Sequence, residues 1–184
     1  MGSKRYEVIM AGLGGKGVLL AGELLARAAL PLYRYVSWFP SYTAAMRGGP
    51  CECTVIMSEE EIASPIVSQV DTVVVMEPSQ LKSFAGRLKP GGLLILESTG
   101  LEEKVEREDV RVLKVAGTTA ADRLGNPQAA NLVLLGAYVE ATKAVPLELV
   151  EREVERRVRG SEKVLATNRA ALQEGTKLAA SPVG

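Results

Sequence analysis

The part of the chain best suited to chemistry is a closely spaced set of glycines near residue 12. Gly12, Gly14 and Gly17 match the pattern G-x-G-x-x-G, and Gly15 and Lys16 stand between them. Glycine permits a tight turn and a close approach of the backbone to a ligand, while a helix that begins there directs free amide groups at an anion. We therefore interpret this segment, the glycine turn, as either a turn that contacts phosphate or a purely structural turn.

A dinucleotide site is the alternative interpretation of the glycine turn. In such sites an acidic residue about 20 positions further on binds the ribose hydroxyls, but residues 36–41 contain no acid. A P-loop is also disfavoured, because Lys16 is followed by Gly17 instead of serine or threonine. An autonomous NAD- or FAD-dependent oxidoreductase is therefore the lesser alternative.

A second candidate site is the aromatic-rich loop that contains Trp38, Tyr42 and Arg47-Gly48-Gly49. Long loops at strand ends are where α/β proteins bind ligands and partners. The forked guanidinium of Arg47 can hold a phosphate or carboxylate, and Gly48 and Gly49 let the backbone come close to it. On the alternative interpretation, Trp38 and Tyr42 are packing residues and Arg47 is a solvated surface charge.

Composition excludes several kinds of chemistry. The chain has no histidine, which removes imidazole bases, Ser-His-Asp triads and His-ligated zinc. Cys51 and Cys53 are its two cysteines, too few for an iron–sulfur cluster, which typically needs four thiolates. We expect them to be small buried residues instead of an oxidised pair. We predict no catalytic residue and no metal site in this chain.

Charge and hydropathy disfavour two classes of partner. Lys plus Arg and Asp plus Glu number 22 each, and the two signs are interleaved, so the concentrated basic surface that nucleic-acid binding needs is missing. No apolar run approaches the roughly 20 residues that span a bilayer. We expect a cytoplasmic protein that binds neither nucleic acid nor membrane.

The order of the predicted elements indicates an α/β protein. A strand from Tyr6 to Ala11 enters the glycine turn, and an Ala- and Leu-rich helix follows from Val18 to Leu30. Continuous apolar runs such as 71–76 suit parallel strands covered on both faces. For 184 residues we predict a single domain with its core at about 6–178: a doubly wound, mostly parallel sheet flanked by helices, with a helical C-terminal third.

Proline and glycine predict where several elements begin and end. We expect a loop from Pro40 to Pro50 and a helix from Pro78 to Leu88. Lys89-Pro90-Gly91-Gly92 is expected to be a turn that leads into the next buried strand.

Further motifs follow the two candidate sites in a fixed order. They are Ser64-Pro65-Ile66-Val67, Asp71, Lys89-Pro90-Gly91-Gly92-Leu93-Leu94, Gly125-Asn126, Asn131, Gly136-Ala137, Asn168 and Gly175. Together with the glycine turn and Met46-Arg47-Gly48-Gly49, this set resembles the gamma subunits of the 2-oxoacid:ferredoxin oxidoreductase family, which acts on pyruvate, ketoisovalerate or 2-oxoglutarate. The resemblance spans about residues 6–178 and lies in the ordered set instead of any single motif.

The resemblance implies a subunit of an enzyme that decarboxylates a 2-oxoacid on thiamine diphosphate, passes electrons through iron–sulfur clusters to ferredoxin, and releases an acyl-coenzyme A. It implies that this chain is inactive alone and binds no cofactor alone. Thiamine diphosphate, Mg²⁺ and the clusters would lie on alpha and beta subunits, with or without a ferredoxin-like delta subunit. Tyr42, Arg47, Gly48 and Gly49 would line the coenzyme A side of the active-site entrance or a subunit interface, with the glycine turn nearby. A non-enzymatic binding domain with the same fold is a further alternative.

One residue and one three-residue segment depart from the family's usual pattern. The family usually carries glutamine where Lys16 stands, so Lys16 adds a positive charge beside any bound group. It usually carries Gly-Pro-Glu where Thr43-Ala44-Ala45 stand, and this change removes any interface contact made by that glutamate.

Overall fold

The computed structural model describes residues 4–42, 48–158 and 160–181. The strands are β1 (Arg5–Leu13), β2 (Tyr35–Tyr42), β3 (Pro50–Ser58), β4 (Val70–Val75), β5 (Leu88–Glu97) and β6 (Arg111–Val115). The helices are α1 (Val18–Ala29), α2 (Leu81–Ala85), α3 (Gly117–Arg123), α4 (Ala130–Thr142), α5 (Leu147–Arg157) and α6 (Glu162–Ala180). Two short 3₁₀ turns, Pro78–Gln80 and Pro127–Ala129, precede α2 and α4.

The strands form one six-stranded sheet in the order β2-β3-β1-β4-β5-β6. The pairs β1–β4, β4–β5 and β5–β6 are parallel, whereas β3 runs antiparallel to both of its neighbours. Five of the six strands therefore point the same way. The prediction of a mostly parallel α/β sheet with a helical C-terminal third is confirmed.

Helices cover the two faces of the sheet unequally. The larger core joins buried residues of α1, α3, α4, α5 and α6 to one face of the strands. On the other face, a smaller core is closed by α2 and by apolar side chains of the segment between β5 and β6. Nine consecutive residues of α4, from Asn131 to Val139, are buried, because this helix is covered by the sheet on one side and by α6 on the other.

Three predicted boundaries were wrong, each because the sheet extends further than local signals indicate. β2 continues through Pro40 to Tyr42, and a proline is tolerated there because β2 lies at an edge of the sheet. Helix α2 ends at Ala85 rather than Leu88, which opens β5 instead. The segment expected to be a turn, residues 89–92, lies within β5 as an irregularity in its pairing with β4.

An ionic network centred on the buried Glu7 joins β1, β4 and β5 near their amino ends. Glu7, only 6% exposed, accepts hydrogen bonds from Arg5 and from Lys89 (Nζ to Oε2, 2.6 Å). Lys89 also donates to Asp71 (2.9 Å). Burial acts to raise the pKa of Glu7, but the hydrogen bonds from Lys89 and Arg5 outweigh it and hold the pKa below its ordinary value of 4.5.

Replacing Glu7 by glutamine is expected to lower the free energy of unfolding by about 1–2 kcal/mol at pH 7, because two charge-assisted hydrogen bonds are weakened. A carboxylate with a lowered folded-state pKa stabilises the fold above its ordinary pKa, and this contribution is lost as pH falls through the lowered value. The difference between Glu7→Gln and the wild type should therefore shrink below about pH 4.5. Urea denaturation at pH 7 and pH 3 measures it, with the exposed Glu60→Gln as the control. An equal difference at both pH values would contradict the role assigned to Glu7.

Candidate functional site

The candidate site lies at the carboxyl end of β1, where the topology of the sheet changes direction. From β1 the chain passes into α1, which packs against β3 and β2 on the larger-core face. From the adjacent parallel strand β4 it passes into α2, which packs on the opposite face against β4 and β5. In open α/β sheets, ligands bind in the crevice outside the strand ends at such a point. We call this place the switch crevice.

The glycine turn forms one wall of the switch crevice, as a strand-turn-helix unit of the predicted kind. Gly15 and Gly17 have φ of 89° and 72°, a left-handed conformation that favours glycine. The amide of Lys16 donates to the Leu13 carbonyl (3.1 Å), which closes the turn. Among the described residues, and apart from its chain neighbours, no atom lies within 4 Å of the place where a Cβ on Gly15 would stand.

The base of the glycine turn is packed against α4. The Asn131 side chain is 4% exposed, and its Nδ2 donates to the Gly17 carbonyl oxygen (3.0 Å). A Cβ on Gly17 would lie 2.4 Å from that Nδ2. The third glycine of the pattern therefore makes room for the Asn131 contact, which the sequence analysis found only as one motif of the resemblance.

The structure brings the two predicted sites together. The Gly14 amide donates to the Gly49 carbonyl oxygen (2.9 Å). Gly48 has φ of 79°, and in the part of the chain that the structure covers no atom beyond its chain neighbours lies within 4 Å of where its Cβ would stand. The backbone of Tyr42, at the end of β2, pairs with Cys51 of β3, and Cys51 in turn pairs with Gly12. Arg47, with residues 43–46, lies outside the described residues.

A cation and an anion form an ion pair at the switch crevice. Lys16 Nζ lies 3.7 Å from Oε2 of Glu77, which directly follows β4 and the connecting residue Met76. The Lys16 side chain remains 56% exposed, and an ion pair this open contributes little to stability. Its charge is therefore available to a ligand in the crevice. Glu77 was not among the predicted site residues, although an acid just after a buried strand was a usable signal.

The sheet order argues against the dinucleotide interpretation. In a dinucleotide fold the strand after α1 lies parallel beside the first strand and ends in the acid that binds ribose. Here antiparallel β3 occupies that place, and Pro50 stands opposite Leu13. The strand that follows α1 is β2, which lies beyond β3 at the edge. The ribose-binding element of such a site is missing beside the glycine turn.

The two cysteines are packing residues, as predicted. Cys51 and Cys53 are free and buried, and burial raises the pKa of the Cys53 thiol to about 12, which suppresses its nucleophilicity. A Cβ on Gly22 would lie 2.3 Å from Cys53 Sγ and 3.1 Å from Trp38 Nε1. Trp38 therefore packs over Gly22 and Cys53, which supports the packing interpretation of this aromatic residue.

A second polar centre lies further along the same edge of the sheet. Glu97, at the end of β5 and 2% exposed, accepts hydrogen bonds from the backbone amides of Thr99 (2.7 Å) and Thr118 (2.9 Å). This carboxylate fixes the start of α3, and the sequence analysis did not single it out. In the part of the chain that the structure covers, no three His, Cys, Asp or Glu side chains are grouped as metal ligands. None of the described helices is long and apolar enough to cross a membrane.

The groups gathered at this strand end are the glycine turn, the Gly48 and Gly49 backbone and the Lys16–Glu77 ion pair. The chemistry that this set of groups supports is recognition of an anionic ligand by hydrogen bonds and charge.

The family model and the relatives found by comparison with known proteins agree with one another. A family model described as pyruvate ferredoxin/flavodoxin oxidoreductase matches residues 7–178. The ketoisovalerate oxidoreductase subunit VorA of Methanothermobacter marburgensis is 35% identical over 136 residues, which is 74% of this chain and 28% of that protein. This chain therefore spans less than a third of that relative's length.

Other relatives match along most of their own length. The 2-oxoglutarate synthase subunit KorC of M. marburgensis is 35% identical over 162 residues, covering 84% of this chain and 87% of that protein. Among solved structures, the gamma subunit of a keto/oxoacid ferredoxin oxidoreductase from Geobacter sulfurreducens PCA superposes with a TM-score of 0.83 at 31% identity. That match covers 96% of this chain and 97% of the other.

Proposed function

Because the chain belongs to the pyruvate ferredoxin/flavodoxin oxidoreductase family, we propose that it is the gamma subunit of a multi-subunit 2-oxoacid:ferredoxin oxidoreductase. The complex would oxidatively decarboxylate a 2-oxoacid and release an acyl-coenzyme A, with ferredoxin as electron acceptor. Support comes from the relatives of matching length, a 2-oxoglutarate synthase subunit and an oxidoreductase gamma subunit. In VorA, a ketoisovalerate oxidoreductase subunit, the matching segment forms part of a longer chain, so a segment of this kind also occurs within a larger oxidoreductase subunit.

The residue types of this chain support a division of labour within the complex. With no histidine and two buried cysteines, the chain has neither an imidazole base nor enough thiolates for an iron–sulfur cluster. Thiamine diphosphate, Mg²⁺ and the clusters would therefore be held by alpha and beta companions, with or without a ferredoxin-like delta subunit. Turnover would require those companions, in the cytoplasm.

The contribution proposed for this chain is the wall of the switch crevice. One observation carries it: the Gly14 amide binds the Gly49 carbonyl at 2.9 Å, which joins the glycine turn to the Arg47-Gly48-Gly49 segment. Coenzyme A is rich in phosphate, and open glycine backbone with a mostly exposed Lys16 suits an anionic ligand of this kind. We place the coenzyme A side of the active site here, with Tyr42, Arg47, Gly48 and Gly49 as its contacts.

Replacing Arg47 by alanine in the assembled enzyme should raise the apparent KM for coenzyme A by about ten- to a hundredfold, because a charge-assisted phosphate contact of about 1.5–3 kcal/mol is lost. Initial rates at varied coenzyme A and saturating 2-oxoacid measure this effect. Arg123→Ala, on the exposed side of α3, is the matched control, and its kinetics should equal those of the wild type. Unchanged coenzyme A kinetics in Arg47→Ala would remove Arg47 from the site.

The subunit assignment itself is tested by reconstitution. The chain is combined with alpha and beta companions, coenzyme A, a viologen dye and pyruvate, 2-oxoisovalerate or 2-oxoglutarate. Dye reduction should be absent with the chain alone and much slower with the companions alone than with both together.

A further inference from the structure

A groove with an arginine-rich lining runs between the C-terminal half of α1 and α5. It consists of two adjoining depressions of about 420 and 220 Å³, which share Arg27, Glu153 and Arg156. Arg152 lines the first depression and Arg157 the second. We call this feature the arginine groove.

The acids of the arginine groove are occupied by bonds within the chain. Glu23 accepts from Arg27 (2.9 Å) and from Arg157 (3.2 Å), which ties α1 to α5. Glu153, whose side chain is 11% exposed, accepts from Arg156 (2.6 Å). Two glutamates thus oppose four arginines, and a net positive charge of two remains on an exposed surface.

Helix α5 sorts its charges between its two sides. Glu151 and Glu155 accept hydrogen bonds from Gln173 and Arg169 of α6, on the side away from the groove. The basic residues Arg152 and Arg156 line the side next to α1. On the groove side Glu153 offsets part of the positive charge, and the excess of arginine that remains is complementary to a negatively charged partner outside the chain.

The chemical make-up of the groove matches a protein interface. Its four basic residues are all arginine, and arginine is enriched in interfaces while lysine is depleted. The floor includes Leu149, and the rim carries Pro31 and Leu30, which is 63% exposed. Apolar surface beside forked cations suits a protein partner that buries side chains, whereas a free anion would use the charge alone.

We propose that the arginine groove is a docking surface for a companion subunit of the same complex, which presents carboxylate side chains to Arg152 and Arg156. This inference rests on the proposed function, because it takes the companion from the multi-subunit assignment. It adds a site, on the helical face away from α2, at which charge and apolar contact hold the chain in the complex.

The test measures binding of the full chain to its alpha and beta companions, by analytical ultracentrifugation at low and high salt. Reversing two charges in the double variant Arg152→Glu/Arg156→Glu should weaken binding at least tenfold and reduce its dependence on salt. The lysine variant Arg152→Lys/Arg156→Lys keeps the charge but loses the fork, and should bind more weakly than wild type but more tightly than the glutamate variant. Thermal melts establish that each variant is folded.

Lys82→Glu/Lys104→Glu is the matched control. These lysines line another depression, of about 520 Å³, beside α2 on the other face of the sheet, and the change in net charge is the same. The control should bind as the wild type does.

The outcomes separate this inference from the proposed function. If wild type binds the companions and the glutamate variant binds equally well, or the control weakens as much, the docking surface is wrong and the subunit assignment stands. If wild type fails to bind, both are wrong. Arginine-dependent self-association would also overturn the inference, because the exposed acidic segment Glu59-Glu60-Glu61 of a second copy would then be the occupant.

Discussion

Replacing Gly136 by alanine is expected to lower the free energy of unfolding by at least about 3 kcal/mol, a large fraction of the 5–15 kcal/mol typical of a domain. A Cβ on Gly136 would lie 2.0 Å from the backbone oxygen of Leu172, and a Cβ on Gly175 would lie 1.9 Å from that of Val133. These neighbours are backbone atoms, so only a separation of α4 from α6 relieves the overlap. That separation would open the larger core, in which both Val133 and Leu172 are fully buried.

Differential scanning calorimetry measures this effect. We expect a fall in Tm of roughly 6–12 °C or more for Gly136→Ala and for Gly175→Ala, since about 1 kcal/mol corresponds to 2–4 °C in a chain of this size. The double variant Gly136→Ala/Gly175→Ala should lower stability by less than the sum of the two single changes, because both glycines lie in the same contact between α4 and α6. Gly86→Ala is the control: Gly86 has φ of −69° and open space around it, so this change should be neutral or slightly stabilising. A Tm for Gly136→Ala within 2 °C of wild type would contradict the close packing of α4 on α6.

The second large loss of stability is expected at the glycine turn. The variants Gly15→Ala and Gly17→Ala both introduce backbone strain there. Gly15 and Gly17 both have a left-handed φ, so alanine costs each about 1–2 kcal/mol in strain. At Gly17 the new methyl group would also displace Asn131, which would lose its hydrogen bond to the Gly17 carbonyl. A lost buried hydrogen bond adds about 1–3 kcal/mol, so Gly17→Ala should lower the free energy of unfolding by about 2–5 kcal/mol, and Gly15→Ala by only the roughly 1–2 kcal/mol of strain.

The same pair separates a packing role from a ligand-binding role. Gly17→Ala should lower stability more than Gly15→Ala. For Gly15→Ala, whose Cβ would meet no described neighbour, we expect the assembled enzyme to show a higher KM for coenzyme A. Its Tm should fall only by the amount that the backbone strain causes. Chemical denaturation and steady-state kinetics on both variants measure this. Equal losses of stability would show that Asn131 does not hold the base of the turn.

Local features of this chain were predictable where one segment determines its own structure. The run from Tyr6 into the glycine turn and on into α1 has a strand, a turn and a helix in uninterrupted order, and each signal is local. The helical C-terminal third was also predictable, because Val150 and Val154 repeat at helical spacing and both are buried. These are patterns of periodicity, which the sequence carries directly.

Contacts between distant segments were not predictable from such patterns. Strand β3 is as apolar as the parallel strands, so its residues do not indicate that it runs antiparallel. Asn131 reaches Gly17 across 114 positions, and Gly14 meets Gly49 only because β3 lies beside β1. Hydrophobic periodicity does not indicate which distant segments pair. The family resemblance identified the motifs but not how they are arranged in space.

The distribution of charge around α5 could not be predicted for the same reason. Helix α5 has acids and arginines mixed along its sequence, as expected for a solvated surface. Its separation into a side that bonds α6 and a side that faces α1 depends on where the neighbouring helices lie. The structure alone distinguishes the arginine groove from an ordinary exposed helix.

The gamma-subunit assignment is tested most directly by viologen dye reduction with a 2-oxoacid and coenzyme A. Three samples are compared: the purified chain, the alpha and beta companions, and all of them together. We expect dye reduction coupled to acyl-coenzyme A formation in the complete mixture, none above background with the chain alone, and a much lower coupled rate without the chain. Substrate-dependent dye reduction by the purified chain, free of any other protein, would contradict the assignment.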